Sequence, residues 1–175
     1  TSLIAGDYTC TITDDNGCVM IEDMFVDEPL PITIPITTTN ISCSGGSNGI
    51  ATATPSGGTG PYTFLWSDVN STSTPTITGL SNTSYTVTVT DVIGCFSVSS
   101  TITINEPSLI TATGNISHVS CYNGNNGAIS LSVSGGNAPY TYLWSNNQTT
   151  LNATSLTSGT YSVVITDLTG CTPVF

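Results

Sequence analysis

Three stretches of this chain are written more than once. Cys43-Ser-Gly-Gly-Ser-Asn-Gly returns as Cys121-Tyr-Asn-Gly-Asn-Asn-Gly. Ser56-Gly-Gly-Thr-Gly-Pro-Tyr-Thr-Phe-Leu-Trp-Ser returns as Ser134-Gly-Gly-Asn-Ala-Pro-Tyr-Thr-Tyr-Leu-Trp-Ser. Tyr85-Thr-Val-Thr-Val-Thr-Asp, closing at Gly94-Cys95, returns as Tyr161-Ser-Val-Val-Ile-Thr-Asp, closing at Gly170-Cys171. It also stands earlier, as Tyr8-Thr-Cys-Thr-Ile-Thr-Asp closing at Gly17-Cys18, and Glu28-Pro29 and Glu106-Pro107 punctuate the joints. The period is about 77 residues, the size of one small domain. Residues 1–28 then read as the C-terminal half of a unit, 29–106 as a complete unit, and 107–175 as a unit lacking its last strand. This phase suggests a window onto a longer array; the alternative is strand exchange, in which one subunit's end completes its neighbour's open sheet.

Within a unit the pattern has period two, the mark of half-buried strands. Tyr85, Val87 and Val89 face one side and Thr86, Thr88 and Thr90 the other; Tyr161, Val163 and Ile165 repeat the stripe, as do Tyr8, Cys10 and Ile12. Tyr62, Phe64 and Trp66 form a second inward stripe, matched by Tyr140, Tyr142 and Trp144, and Phe96, Val98, Ile102 and Ile104 outline a closing strand. Ser-Gly-Gly at 56–58 and 134–136 marks turns. The expected fold is all-β: tandem immunoglobulin-like β-sandwich repeats of about 77 residues, each with a core Trp on its third strand and a tyrosine corner opening its penultimate one.

Cys43 and Cys95 bracket one unit and Cys121 and Cys171 bracket the next at nearly equal spacing. The expectation is two disulfides within units, Cys43–Cys95 and Cys121–Cys171. Each would close a loop of about fifty residues and stabilise by about 4 kcal/mol in the chain-entropy model. Cys18 holds the matching position with its partner upstream. Cys10 stands where the other units carry Val87 and Val163; it reads as a small buried apolar residue, with a Cys10–Cys18 bridge or an upstream partner as the alternatives. Six cysteines in so polar a chain point to an oxidising, extracellular setting.

The chain has no Lys or Arg and eleven acids, a net charge of −11. That excludes an electrostatic grip on nucleic acid, which needs cations to displace phosphate counterions, and polybasic attachment to a membrane. No apolar run is long enough for direct membrane insertion. Ser and Thr supply 56 of the 175 residues, yet aliphatic and aromatic residues recur throughout, so the composition is that of a folded β protein and not a disordered one.

A hydrolytic triad needs a His beside a nucleophile. The chain's single His, His118, has no counterpart in the other units and reads as an exposed loop residue. The paired acids Asp14-Asp15, Glu22-Asp23 and Asp27-Glu28 have no identifiable cleft between them, and Gly45-Gly46-Ser-Asn-Gly49 lacks the basic residue and helix that would hold a phosphate. An enzyme is therefore not expected, and neither is an organic cofactor. Calcium is the one metal candidate, with Asp14 and Asp15 as hard oxygen ligands; the competing reading is an Asp carboxylate bonding its own turn. Asn-x-Ser/Thr sequons at Asn40, Asn70, Asn82, Asn115, Asn147 and Asn152 are candidate glycosylation sites.

The string Cys-x-Gly-Gly-x-Asn-Gly, then Ser-Gly-Gly-x-x-Pro-Tyr-Thr-x-x-Trp-Ser, then Tyr-x-Val-x-Val-Thr-Asp-x-x-Gly-Cys resembles the SprB repeat of gliding-motility adhesins. The resemblance covers 43–95 and 121–171, with the tail half of a unit at 3–18. It implies large cell-surface proteins of Bacteroidetes-type bacteria, exported by a type IX secretion system, whose repeats form an extended stalk. The chain departs from the pattern in Cys10 and in its lack of basic residues. The expected role is a structural or adhesive segment of an extracellular filament, with neighbouring repeats and surface glycans as partners. The alternative is a carbohydrate-binding accessory module, which would need Trp66 or Trp144 exposed in a groove; Tyr122 is the other candidate aromatic.

Overall fold

The computed structural model of the chain describes residues 2–173 and 175. It is built of strands, with no helix among the described residues. A hairpin comes first, β1 (Gly6–Thr13) against β2 (Val19–Val26), paired antiparallel from Gly6↔Val26 to Thr13↔Val19.

The first sandwich contains β3 (Ile36–Thr39), β4 (Gly49–Ala53), β5 (Thr63–Trp66), β6 (Thr76–Leu80), β7 (Ser84–Tyr85), β8 (Val87–Thr90), β9 (Phe96–Val98) and β10 (Ile102–Thr103). One sheet has the order β3-β4-β6 and the other β5-β8-β9, and β7 and β10 pair as a separate two-stranded ribbon. The second sandwich repeats the scheme with β11 (Thr111–Ser117), β12 (Gly127–Ser134), β13 (Thr141–Trp144), β14 (Ala153–Leu156) and β15 (Val163–Thr166), in sheets β11-β12-β14 and β13-β15. These are paired sheets of immunoglobulin-like order, with both Trp residues closing the third strand of their sandwich.

The period-two stripes account for the cores. Trp66, Val87 and Val89 are buried with Ile77, Leu80 and Ile104 in the first sandwich, and Trp144, Val163 and Ile165 with Ile110, Ala153 and Leu156 in the second. Tyr62, Phe64, Tyr140 and Tyr142 pack half-buried against them. Each buried indole keeps a hydrogen-bond partner: Trp66 Nε1–H donates to Thr74 O (2.9 Å) and Trp144 Nε1–H to Thr150 O (3.0 Å). The tyrosine corner is formed three times: Tyr8, Tyr85 and Tyr161 each donate their hydroxyl to the carbonyl four residues back, Ile4, Ser81 and Thr157.

Two apolar residues of the expected closing strand face outward. Phe96 and Val98 are 70% and 55% exposed, because β9 pairs with Phe96 opposite Thr90 and Val98 opposite Thr88, on the outer face. The inner position falls to Ser97, opposite Val89, and the apolar seam resumes only at Ile102 and Ile104. In the hairpin, Cys10 is exposed, not buried, and Ile12 is 56% exposed. They share a face with Met20 and Met24, over which no second described sheet lies.

Candidate functional site at the junction of the sandwiches

Register fixes which loops share an end of each sandwich. In the first, Thr39 lies opposite Ile50 and Gly49 opposite Leu80, so the Cys43 loop (residues 40–48) sits at the pole where β6 ends. Ile41 N–H donates to Asn105 O there, and Gly45 N–H to Glu106 Oε2 at 2.6 Å. The Glu106-Pro107 punctuation thus clamps the loop of the unit it closes. Thr63 lies opposite Thr90, which sends the Asp91–Cys95 turn to the other pole, beside Thr59. Each sandwich therefore has a loop pole, with Cys43 or Cys121, and a turn pole, with Cys95 or Cys171.

Each turn is built around one carboxylate. Asp91 Oδ1 accepts the N–H groups of Ile93 (3.0 Å) and Cys95 (2.8 Å), and Oδ2 that of Thr59 (3.0 Å). Asp167 Oδ1 accepts Thr169 N–H (2.9 Å) and Cys171 N–H (3.0 Å), and Oδ2 accepts Asn137 N–H (2.9 Å). Asp14 Oδ1 accepts Asn16 N–H (2.9 Å) and Cys18 N–H (2.8 Å). Thr59 N–H is the chief cause that holds Asp91 below the ordinary aspartate value, with burial opposing it and Cys95 and Ile93 adding to it. For Asp167 burial is the largest influence and opposes ionisation, yet the bonds from Asn137, Cys171 and Thr169 together outweigh it and the carboxyl is still lowered. The Cys18 N–H leads the lowering of Asp14.

The turn pole of the second sandwich rests on the loop pole of the first. Cys171 is bonded to Cys43, with Sγ–Sγ 2.01 Å and Cα–Cα 5.7 Å. Around that bond the Ser42 carbonyl is the acceptor: Asn137 Nδ2–H approaches it at 3.4 Å and the Thr169 hydroxyl at 3.0 Å. The same hydroxyl lies 2.9 Å from Asp167 Oδ1 and, having one proton, serves one of the two at a time.

This pairing corrects the expected Cys43–Cys95 and Cys121–Cys171 bridges. Cys43 and Cys95 lie at opposite poles of one sandwich, as do Cys121 and Cys171, separated by the length of the strands between them. A disulfide needs Cα atoms within about 7 Å. Cys10, Cys18, Cys95 and Cys121 are unbonded and exposed.

The other singled-out residues do not join this site. Among the described residues no group of three or more His, Cys, Asp or Glu side chains gathers where a metal ion could be held. Asn40, Asn70, Asn82, Asn115, Asn147 and Asn152 are all exposed, and so is His118. Trp66 and Trp144 are 1% and 3% exposed and offer no face to a sugar, whereas Tyr122 is 95% exposed. What the sequence reading missed is Asn137 and Thr169 as junction donors and the role of the Asp in presenting the cysteine.

The family model described as SprB repeat matches the chain twice, over residues 36–71 and 113–149. Each match opens within the first strand of a sandwich, spans the loop-pole cysteine and ends just beyond the core Trp. The turn-pole cysteines lie outside the matched stretches. No curated protein matches the chain.

Proposed function

We propose, from the two stretches that match the SprB-repeat family model, that this chain is a structural and adhesive segment of an extracellular surface filament or stalk. One observation carries the reading: the Cys43–Cys171 bond joins the turn pole of one sandwich to the loop pole of the other. Poles meeting head to tail give a linear stack in which each unit touches its neighbour. A chain of charge −11 without Lys or Arg has no Lys or Arg ion pair with which to hold such a joint, and a covalent bond does not weaken with salt or with self-repulsion. Disulfides persist in oxidising, extracellular settings. No helix among the described residues is long and apolar enough to cross a membrane.

Small-angle scattering of the oxidised chain tests the stacked arrangement. A rod-like profile, its maximum dimension near twice that of one sandwich and its shape unchanged by salt, is the expected result. A profile of two freely jointed globules, or of one sphere, would remove the support for a stalk. Retention of chain-coated beads on glycan arrays tests adhesion separately and would identify a surface-glycan partner.

A further inference from the structure

The loop that carries Cys121 repeats the internal hydrogen bonds of the Cys43 loop. Ser42 N–H donates to Asn48 Oδ1 (3.1 Å) and Asn48 Nδ2–H to Ser42 Oγ (2.7 Å). Ser120 N–H donates to Asn126 Oδ1 (3.0 Å) and Asn126 Nδ2–H to Ser120 Oγ (2.9 Å). Gly46 N–H meets Cys43 O, and Gly124 N–H meets Cys121 O, both at 2.9 Å. Where Gly45 has φ +73°, Asn123 takes φ +58°, a left-handed position that Asn visits more readily than most side chains. Cys121 is unbonded and exposed, beside an open hollow of about 620 Å³ lined by Val119, Ser120, Tyr122, Gly124 and Ser158.

The loop at Cys43 holds an Asp-x-x-Gly-Cys turn. From the shared internal bonding of the two loops, and resting on the reading of this chain as a stack of units, we infer that the loop at Cys121 is a docking site for the Asp14–Cys18 turn of a second copy, closed by a Cys121–Cys18 disulfide. Two of the chain's three such turns have an unbonded, exposed cysteine, Cys18 and Cys95. The junction asks the residue two places after the Asp to donate to a serine carbonyl, as Thr169 does to Ser42 O. Asn16 holds that place before Cys18 and has an amide donor; Ile93 holds it before Cys95 and has none. The segment 117–127 contains no acid to repel the acidic turn. The loop of one copy meets the turn of another, so the contact is heterologous and open, and it propagates head to tail.

Closure is thiol–disulfide exchange with a small disulfide oxidant such as oxidised glutathione. The Cys121 thiolate attacks the oxidant, releasing one glutathione thiolate and leaving a mixed disulfide. The Cys18 thiolate of the second copy attacks Cys121 Sγ and releases the other. Two protein thiols are oxidised, one glutathione disulfide is reduced to two thiols, and the two thiol protons pass to them.

The test is incubation of the purified chain in glutathione redox buffer, followed by non-reducing gels and mass-spectrometric mapping. A ladder of dimers, trimers and longer species joined through Cys121–Cys18 is expected, with the ladder reduced at least tenfold in C121S and in C18S. N126A, which unties the loop and leaves the thiol in place, should slow ladder formation several-fold while Cys121 alkylates with iodoacetamide at the unaltered rate. A Cys121 that stays a thiol, or that links equally well to Cys10 or Cys95, overturns the docking inference. Scattering of the C121S chain is the separate check on the stalk: a rod in that variant keeps the stalk reading whatever becomes of the ladder.

Discussion

Cys43 and Cys171 are bonded across 128 positions of sequence, so a pull applied along the chain passes from one sulfur to the other and leaves nearly everything between them unloaded. Under tension between terminal handles, the oxidised chain should release only the segments outside that bridge. A reductant, or C43S, should add roughly 430 Å of contour length, at about 3.4 Å per extended residue over the bridged segment. Single-molecule force spectroscopy with and without reductant reads the difference directly. Equal contour lengths in both conditions would mean that the bond does not form.

The Asp cages make the fold acid-sensitive in a stated direction. Asp14, Asp91 and Asp167 are all lowered from the ordinary 3.8, so their ionised forms stabilise the folded state. That contribution is complete above the unfolded value and is lost as pH falls through the lowered folded values. Thermal melts should therefore hold their midpoint from neutral pH to about 5 and fall steeply below about 3.8. Asp91→Asn should lower the midpoint by several degrees at pH 7 and converge on the unsubstituted chain at low pH. Compared at each pH, the difference isolates this carboxylate from the repulsion that all the acids share.

Much of the architecture was legible in the residues: the stripes ending at Trp66 and Trp144, the three tyrosine corners, and an Asp bonding its own turn. The cysteine pairing was not, for a reason that lies in repetition itself. When every unit contributes one loop cysteine and one turn cysteine, pairing within units and pairing between neighbours produce the same sequence. Register separates them, since Thr39 lies opposite Ile50 at the end that carries the Cys43 loop, whereas Thr63 lies opposite Thr90 at the end that carries the Cys95 turn. The outward Phe96 and Val98 escaped notice because apolar content was read without register; opposite Thr90 and Thr88 they can only face outward. Asn137 had no motif to announce it, being the counterpart of Thr59 in the other unit.

Gly135 stands where the approach to β11 crosses the turn after β12. Its φ is +80°, and a Cβ there would overlap the Leu109 carbonyl oxygen. Gly135→Ala meets both the left-handed cost, roughly 1–2 kcal/mol, and a backbone clash that also disturbs the neighbouring Gly136 N–H bond to Ser108 O. A loss of about 3 kcal/mol is expected from the two together. Gly159→Ala is the control, with ordinary φ and its nearest contact at 3.8 Å; it should change stability by less than about 0.5 kcal/mol. Urea unfolding followed by tryptophan fluorescence gives both numbers.

The apolar seam of the first sandwich closes on Ile104, which is fully buried, with its N–H donating to Thr83 O and its side chain against Gly49. Ile104→Ala should cost that sandwich about 2–5 kcal/mol, the usual penalty for emptying a buried isoleucine site. Backbone amides of Val87 and Val89 should then exchange with deuterium faster, while those of Val163 and Ile165 in the other sandwich keep their rates. If Val87 and Val89 exchange alike with and without the substitution, the seam contributes nothing, and the stability of the unit must rest on its Trp-centred core alone.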